Sequence, residues 1–121
     1  MSPLLFAGVA VLGGLGATFR FLFDAKLSSA VDTTFPAGTL AVNLAGAFAV
    51  GLLVGLGAST DLLRLLALGL LGGFTTFSTW VFETHRLAED GLMRVASLNI
   101  GLSLAAGIGA VWAGKAVGGL L

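Results

Sequence analysis

The stretch GLLGGFTTFSTW, residues 69–80, carries two adjacent glycines and four hydroxyl side chains in the middle of a long apolar run. In lipid every backbone N–H and C=O needs a partner, so irregular backbone occurs only inside protein or beside water. One interpretation is therefore a continuous helix that packs through its small residues, with each threonine bonded to the carbonyl four residues earlier.

The other interpretation is a helix broken near Gly72-Gly73. Adjacent glycines favour non-helical dihedral angles, and the hydroxyls that follow can satisfy the freed backbone groups. A broken helix presents carbonyls from one half and amides from the other, which are the materials of ion sites at the bilayer midplane. Because four hydroxyls follow the glycines directly, we expect the break and a link to ion handling.

Composition sets the class of the protein. Of 121 residues, 57% are hydrophobic and only 10% are charged, with a mean hydropathy of +1.06. Average globular domains carry about a quarter charged residues, so this chain lacks the polar surface of a soluble core. Crossing a hydrocarbon core takes about 20 residues. We expect an all-α membrane protein, one domain over residues 1–121, with four transmembrane helices at about 4–23, 38–56, 62–82 and 92–111.

The net charge limits the classes of partner, and the charges of the loops leave the orientation of the chain in the membrane open. The net charge is zero and cysteine is absent, so nothing indicates a nucleic-acid partner, a disulfide or a thiolate metal site. No nucleophile–base pair is apparent, and an enzyme is not expected. Orientation follows the Lys/Arg imbalance of short loops, which here is one or two charges. A slight bias to one orientation and insertion in both orientations remain open.

Small residues recur every fourth position in two of the predicted spans, which favours close helix packing. They are Ala47, Gly51 and Gly55 in the second span, and Ser97, Gly101, Ala105, Gly109 and Ala113 in the fourth. Four such helices leave little room inside one bundle. A path for an ion would lie between subunits, so we expect a homo-oligomer, most simply a dimer.

Polar side chains share helix faces at depth. Asn43 lies four residues after Thr39, and Ser103 lies four residues after Asn99, so each pair occupies one face. Either asparagine alone would be read as a hydrogen bond between helices, worth about 0.6 kcal/mol on average. Together with Ser78 and the hydroxyls beside it, the two faces predict a polar path through the bundle.

The expected path suits a small anion. No charged residue lies near the middle of a predicted span, whereas carriers of protons or organic cations usually hold a carboxylate there. Aromatic ring edges are electropositive, so Phe77 and Trp80, three residues apart on one face, are candidates for anion contact. Plain packing is their alternative role. Arg20 either anchors the end of the first span, where it could pair with Glu83, or draws anions inward.

The same residues carry a resemblance to a known family. The chain resembles the fluoride ion channel family, called Fluc or CrcB. The matching pieces are GGLGATFR (13–20), PAGTLAVNLAG (36–46), GLLGGFTTFSTW (69–80) with Glu83, and the face of Asn99 and Ser103. The resemblance implies antiparallel, dual-topology homodimers of four-span subunits in the cell (inner) membrane, with two pores at the subunit boundary. Such dimers export fluoride passively and protect the cell from its toxicity.

The resemblance also implies roles for particular residues. A structural sodium ion at the dimer centre would be held by the backbone carbonyls of Gly72 and Thr75. Asn43 would contact fluoride, and the motif arginine falls on Arg20. The acidic residue after the break falls on Glu83.

Two positions depart from the pattern that the family shows. Of two pore-facing phenylalanines, the first falls on Phe77 but the second is Trp80 here. A tyrosine of the fourth span appears as Asn99. Thr39, Ser78, Thr79 and Ser103 complete the expected anion path.

Two other functions are weighed against the channel. A four-span exporter of the multidrug or guanidinium type is also dimeric, but it needs a carboxylate deep in the first span, and here only Asp24 stands at that span's end. A non-transporting structural subunit would use every polar residue as a contact between helices. That interpretation predicts that Asn43→Ala or Phe77→Ala affects assembly alone.

Overall fold

The computed structural model describes residues 1–30 and 33–121 of the chain, and within these ranges the protein is helical with short connections and no strand. The elements are α1 (Pro3–Ala30), α2 (Ala37–Gly55), α3 (Thr60–Leu63), a π-helical segment (Arg64–Leu71), α4 (Gly72–Phe74), α5 (Ser78–Glu89) and α6 (Met93–Leu120).

Four helical stretches of the described chain are long and apolar enough to cross a membrane, as the sequence predicts. They are Pro3–Ala30, Ala37–Gly55, Thr60–Glu89 and Met93–Leu120. The third, from α3 to α5, is called the third crossing below. Large apolar side chains point outward along these helices, for example Leu4 at 84% and Phe21 at 72% exposure. Such a surface suits lipid, because a bilayer imposes no cost on exposed apolar groups.

The first and last helices run past the ends that hydropathy predicts. α1 ends at Ala30 instead of 23, and α6 ends at Leu120 instead of 111. The polar residues after 23 continue the helix, since no proline or glycine interrupts it, and Ser29 Oγ donates to the carbonyl of Lys26 at 2.8 Å. Hydropathy marks where apolar side chains stop and not where helical backbone stops.

The second helix begins directly after a proline. Asp32, Thr33 and Thr34 are typical capping residues, and Asp32 lies outside the described residues. The structure places Pro36 at the cap, with no side-chain hydrogen bond there. Thr33 Oγ1 instead accepts from the amide of Phe35 at 3.2 Å, within the turn that precedes the helix.

Close helix contacts form at glycines, but only partly at the predicted ones. α2 packs on α6, and a Cβ added at Gly51 or Gly55 would overlap the backbone of α6, which confirms those two positions. The α6 side of the contact uses Gly114 and Gly118.

The predicted small-residue row of the fourth span does not form this contact. All five of its residues are exposed, and nothing lies within 4 Å of a Cβ placed at Gly101 or Gly109. Small residues occur on more than one face of α6, so their spacing does not identify the face that meets α2.

Glycines also bring α1 against the third crossing. A Cβ at Gly16 would overlap the carbonyl oxygen of Leu70, and one at Gly73 would overlap the carbonyl oxygen of Gly13. The backbones therefore touch at the level of the GLLGGFTTFSTW stretch. Gly73 is needed for this close approach rather than for an unusual dihedral angle.

The third crossing is interrupted a few residues later than the glycines. Gly72 is helical, with φ −61° and ψ −38°. Thr75 is extended, with φ −81° and ψ 162°, and α5 begins at Ser78. The break therefore comprises Thr75–Phe77 and lies midway along the crossing Thr60–Glu89. Its centre differs from the expected Gly72-Gly73, since Gly72 is helical and Gly73 serves the contact with α1.

Candidate functional site

The break is held by the side chain of Asn43 on α2. Its Nδ2 donates to the carbonyl of Thr76 at 2.9 Å, and its Oδ1 accepts from the amide of Thr76 at 2.8 Å. This pair of bonds replaces the helical partners that Thr76 gives up. One N–H of the amide and one lone pair of Oδ1 remain available.

Arg20 reaches the break from α1. Its Nη1 donates to the carbonyl of Thr75 at 3.1 Å, in a partly buried contact. The expected pairing of Arg20 with Glu83 is not formed: Glu83 Oε1 accepts from the hydroxyl of Thr39, which is only 3% exposed. Arg20 therefore places a positive charge directly beside the break.

The hydroxyls of the stretch divide between two tasks. Thr75 Oγ1 donates to the carbonyl of Leu71 at 3.0 Å, four residues earlier, as the continuous-helix interpretation proposed for these threonines. Thr76 Oγ1 accepts from the amide of Thr79 at 3.2 Å and donates to Thr79 Oγ1 at 3.1 Å, so it caps the first turn of α5. Ser78 is exposed, with its Oγ 3.5 Å from Thr76 Oγ1.

Two backbone groups at the break have no partner among the described residues. No donor bonds to the carbonyl oxygen of Gly72, and the amide of Phe77 bonds to no acceptor. Both residues are exposed on the protomer surface. In a membrane such groups need water, an ion or another chain.

An open cavity of about 430 Å³ lies on one side of the break. It brings together four of the residues predicted on the anion path, Asn43, Phe77, Trp80 and Ser103. Gly72 and Thr75, which are predicted to hold the cation, and Thr76 of the break line it as well. The rings of Phe77 and Trp80 lie 5.5 Å apart at an interplanar angle of 59°, and Phe77 is 73% exposed. The cavity wall thus combines neutral polar groups with aromatic edges.

A smaller cavity of about 210 Å³ also borders the break. Its wall includes Arg20, Thr39 and Thr79, which the sequence predicts, and also Asp24 and Thr76. Thr76 lines both cavities, so they meet the break at the same residue. The two cavities together include seven of the nine residues predicted on the anion path, and Ser78 and Asn99 line neither of them.

Comparison with known proteins identifies the family of this chain. The family model described as CrcB-like protein, Camphor Resistance (CrcB), matches residues 7–115. The chain belongs to the CrcB family.

Among the relatives of this CrcB chain are proteins named fluoride-specific ion channels. FluC 2 of Mycobacterium tuberculosis (strain ATCC 25618 / H37Rv) is 42% identical over 115 residues, which cover 95% of this chain and 91% of the relative. FluC of Geobacter sulfurreducens is 45% identical over 111 residues, 88% of this chain and 90% of the relative. FluC 1 of Leifsonia xyli subsp. xyli is 40% identical over 125 residues, which cover 99% of this chain and 90% of the relative.

The two departures of this CrcB protein from the expected pattern contact each other. Trp80 Nε1 donates to the backbone carbonyl of Asn99 at 3.3 Å. Asn99 is 1% exposed, and its side chain does not reach either cavity. It lies behind the wall, between Trp80 and Ser103.

Three residues at this site are not singled out by the sequence. Thr76 is one of four adjacent hydroxyls, and nothing in the spacing shows that it is the one that faces both cavities. Thr84, which accepts from Asn99 Nδ2 at 2.8 Å, lies four residues after Trp80 and so on the same helix face. Asp24 falls in what reads as a loop, but α1 continues through it.

The carbonyls of Gly72 and Thr75 suit a hard cation, which prefers oxygen ligands. The Gly72 oxygen is free of donors, and the Thr75 oxygen retains one lone pair beside its bond to Arg20. No group of three or more His, Asp or Glu side chains able to hold a metal occurs in the described ranges. One protomer thus offers two oxygens, fewer than a cation normally takes.

Proposed function

We propose that this CrcB chain forms a passive, fluoride-selective channel in the cell membrane, which lets fluoride leave the cell and protects against its toxicity. The observation that carries the proposal is the match to relatives named fluoride-specific ion channels, 40–45% identical over most of the chain. Four membrane-crossing helices support it, as do two cavities whose walls include the hydrogen-bond donors Asn43, Thr79 and Arg20.

The chemistry of the two cavities fits a small, strongly hydrated anion. Fluoride must exchange its water for other donors at close range. The free N–H of Asn43, the hydroxyl of Thr79 and the ring edges of Phe77 and Trp80 are such donors. Arg20 adds a positive charge beside the break, where it raises the local anion concentration.

The channel works as an antiparallel homodimer in this proposal. Gly72 and Phe77, which carry the unpartnered carbonyl and amide, are exposed residues of the protomer, and lipid cannot satisfy these two groups. A second copy related by a two-fold axis covers both groups and closes the open cavity beside Phe77. The symmetry then yields two equivalent paths along the subunit boundary.

A structural sodium ion belongs to the same proposal. Two copies supply four carbonyl oxygens, from Gly72 and Thr75 of each, which is a set that suits a hard monovalent cation. When bound, the ion joins the two breaks electrostatically. Protein purified and reconstituted without sodium is expected to lose dimer stability and fluoride efflux together, and sodium but not a large organic cation restores both.

Ion release from liposomes tests the function. Purified protein is reconstituted into liposomes loaded with potassium fluoride or potassium chloride, and a potassium ionophore carries the countercharge. Fluoride is expected to leave rapidly, while chloride leaves no faster than from protein-free liposomes. Equal rates for the two anions would contradict the selectivity, and no protein-dependent release of either would contradict the channel.

No observation favours the other functions. A proton-coupled exporter of organic cations needs a deep carboxylate in the first helix, and the acid of described α1 is Asp24, toward its far end. Export of such a cation against its gradient, measured in the same liposomes, would revive that alternative.

A further inference from the structure

Asn99 bonds to three polar groups behind the wall of the cavity that Phe77 and Trp80 line. Its Nδ2 donates to Thr84 Oγ1 at 2.8 Å, and its Oδ1 accepts from Ser103 Oγ at 3.4 Å. Its backbone carbonyl accepts from Trp80 Nε1 at 3.3 Å. Thr84 Oγ1 in turn donates to the carbonyl of Trp80 at 2.7 Å. These bonds form a closed circuit between α5 and α6.

The circuit holds Trp80 at two points. Its indole N–H is bonded to α6, and its backbone carbonyl is bonded to the hydroxyl one turn later on α5. An indole has a single donor, so this N–H is not available to an anion in the cavity. Trp80 therefore contributes a ring edge, and the direction of that edge depends on the bond to Asn99.

The bond to Trp80 uses the backbone of Asn99, whereas the position of that backbone depends on the Asn99 side chain. The amide bond to Thr84 ties α6 to α5 within one turn of Trp80. At 1% exposure the Asn99 side chain has no water to replace Thr84 as a partner. Loss of the Thr84 hydroxyl thus removes the contact that sets the distance between the indole and its acceptor.

We propose that Asn99 and Thr84 are positioning residues, which fix the Trp80 ring at the cavity wall and thereby set fluoride permeation and its selectivity. This inference rests on the proposed fluoride channel. Neither residue lines the cavity, so their effect on fluoride passes through Trp80. The alternative role is a hydrogen bond that only stabilises the packing of α5 on α6. It would affect stability without acting on the ring.

Thr84→Val tests the proposal, because valine keeps the shape of threonine and lacks its hydroxyl. Interhelical hydrogen bonds in membranes are modest, so we expect fluoride efflux to fall by about threefold. Fluoride-over-chloride selectivity is expected to fall as well. Thr84→Ser, which keeps the hydroxyl, is the matched control and should behave as the unsubstituted protein.

A double-substitution cycle separates the two roles. In the Trp80→Phe background no indole N–H exists to be positioned, so Thr84→Val should leave efflux and selectivity unchanged there. A reduction of equal size with and without Trp80 would show a packing role and overturn the proposal. The cycle reports the coupling that passes through Asn99, because Trp80→Phe removes the indole N–H and leaves the Thr84 bond to the backbone carbonyl at position 80 in place.

Spectroscopy tests the contact independently of transport. In ¹⁵N-tryptophan-labelled protein the Trp80 indole resonance, assigned by its loss in Trp80→Phe, should shift in Thr84→Val, while that of Trp112 stays in place. If the unsubstituted protein releases no fluoride, the proposed function fails while this spectrum still reports on the circuit. A Trp80 indole proton at the position of an unbonded indole would overturn the proposal even if Thr84→Val does not assemble.

Discussion

At the scale of single residues, Asn43 shows why a buried amide is hard to interpret from sequence. Its spacing to Thr39 is equally consistent with a contact between helices and with an ion ligand. The structure gives it a third task, since both of its polar atoms bond to the backbone of Thr76. These two bonds fix the orientation of the amide, whose remaining N–H belongs to a side chain that lines the cavity.

Substitution of Asn43 by aspartate is a sharp test of this task. Aspartate keeps the acceptor for the Thr76 amide, loses the donor to the Thr76 carbonyl and adds a negative charge. Loss of a partner for a buried polar group costs about 1–3 kcal/mol, so the thermal transition in detergent should fall. Fluoride efflux from liposomes should fall by about tenfold or more, because the added charge also repels the anion.

Asn43→Ala serves as the matched variant without the added charge. Both bonds to Thr76 are lost, so its stability should fall further than that of Asn43→Asp, and its efflux should also be low. If either variant retains full efflux once reconstituted as a dimer, Asn43 is only a contact between helices, as the structural-subunit interpretation predicts.

Arg20 marks the limit of what residue-level patterns give. The sequence leaves an anchor role and an anion-attracting role open, with Glu83 as a possible partner. The actual partner is the carbonyl of Thr75, 55 residues away. That acceptor exists only because the helix is interrupted there, so no spacing rule within one helix can identify it.

At the scale of helices, glycine contacts decide which helices touch. Gly16 and Gly14 lie on the same helix, two residues apart and therefore on different faces. A Cβ at Gly16 would overlap the backbone of the third crossing at Leu70, with the amide nitrogen of Phe74 at 2.9 Å, whereas nothing lies within 4 Å of one at Gly14. A comparison of alanine at these two positions therefore separates the cost of close packing from the effect of alanine on helix propensity.

Gly16→Ala should therefore destabilise the protein while Gly14→Ala should not. Overpacking costs about 1–3 kcal/mol, and here the obstacle is backbone, which cannot rotate away. Thermal unfolding in one detergent, followed for both variants and the unsubstituted protein, provides the comparison. Equal transitions for the two alanine variants would mean that α1 does not approach the third crossing as closely as the structure has it.

Hydropathy predicts the number of membrane helices, but it does not predict which face of each helix packs against its neighbour. Four apolar runs predict four helices, because burial in lipid depends on composition summed over about 20 residues. The choice between Gly114 and Gly109 as the α6 contact depends on the partner surface, which one helix's sequence does not contain. The break is displaced from the glycines to Thr75–Phe77 for the same reason, since Gly73 is occupied by its contact with α1.

The candidate site, too, could be predicted from the sequence only in part. Asn43, Phe77, Trp80 and Ser103 are predicted from residue type and meet at one cavity. Asn99 is predicted on the path and lies behind its wall, at 1% exposure. Residue type identifies polar groups that must be satisfied in a membrane, while only the packing of α5 on α6 determines which of them face the cavity.

At the scale of the whole molecule, one protomer leaves the proposed channel incomplete. The cavity beside Phe77 is open, and the Gly72 carbonyl lacks a donor on an exposed surface. The Lys/Arg difference between the two membrane sides is too small to fix orientation. An antiparallel pair would cover the exposed surface and would agree with the small Lys/Arg difference. Opposite insertion of identical chains allows a two-fold axis in the membrane plane.

Opposite insertion is measurable because the chain has no cysteine of its own. Single cysteines are introduced at Ser29, near the end of α1, and at Gly119, near the end of α6, both of which are exposed. Four crossings place these two positions on opposite sides of the membrane within one chain. A membrane-impermeant maleimide should label about half of each variant in intact cells, because equal insertion exposes each position in half of the chains. The other half should react only after permeabilisation. Complete labelling of one variant and none of the other would mean a single orientation, and the antiparallel dimer would then be wrong even if fluoride efflux is observed.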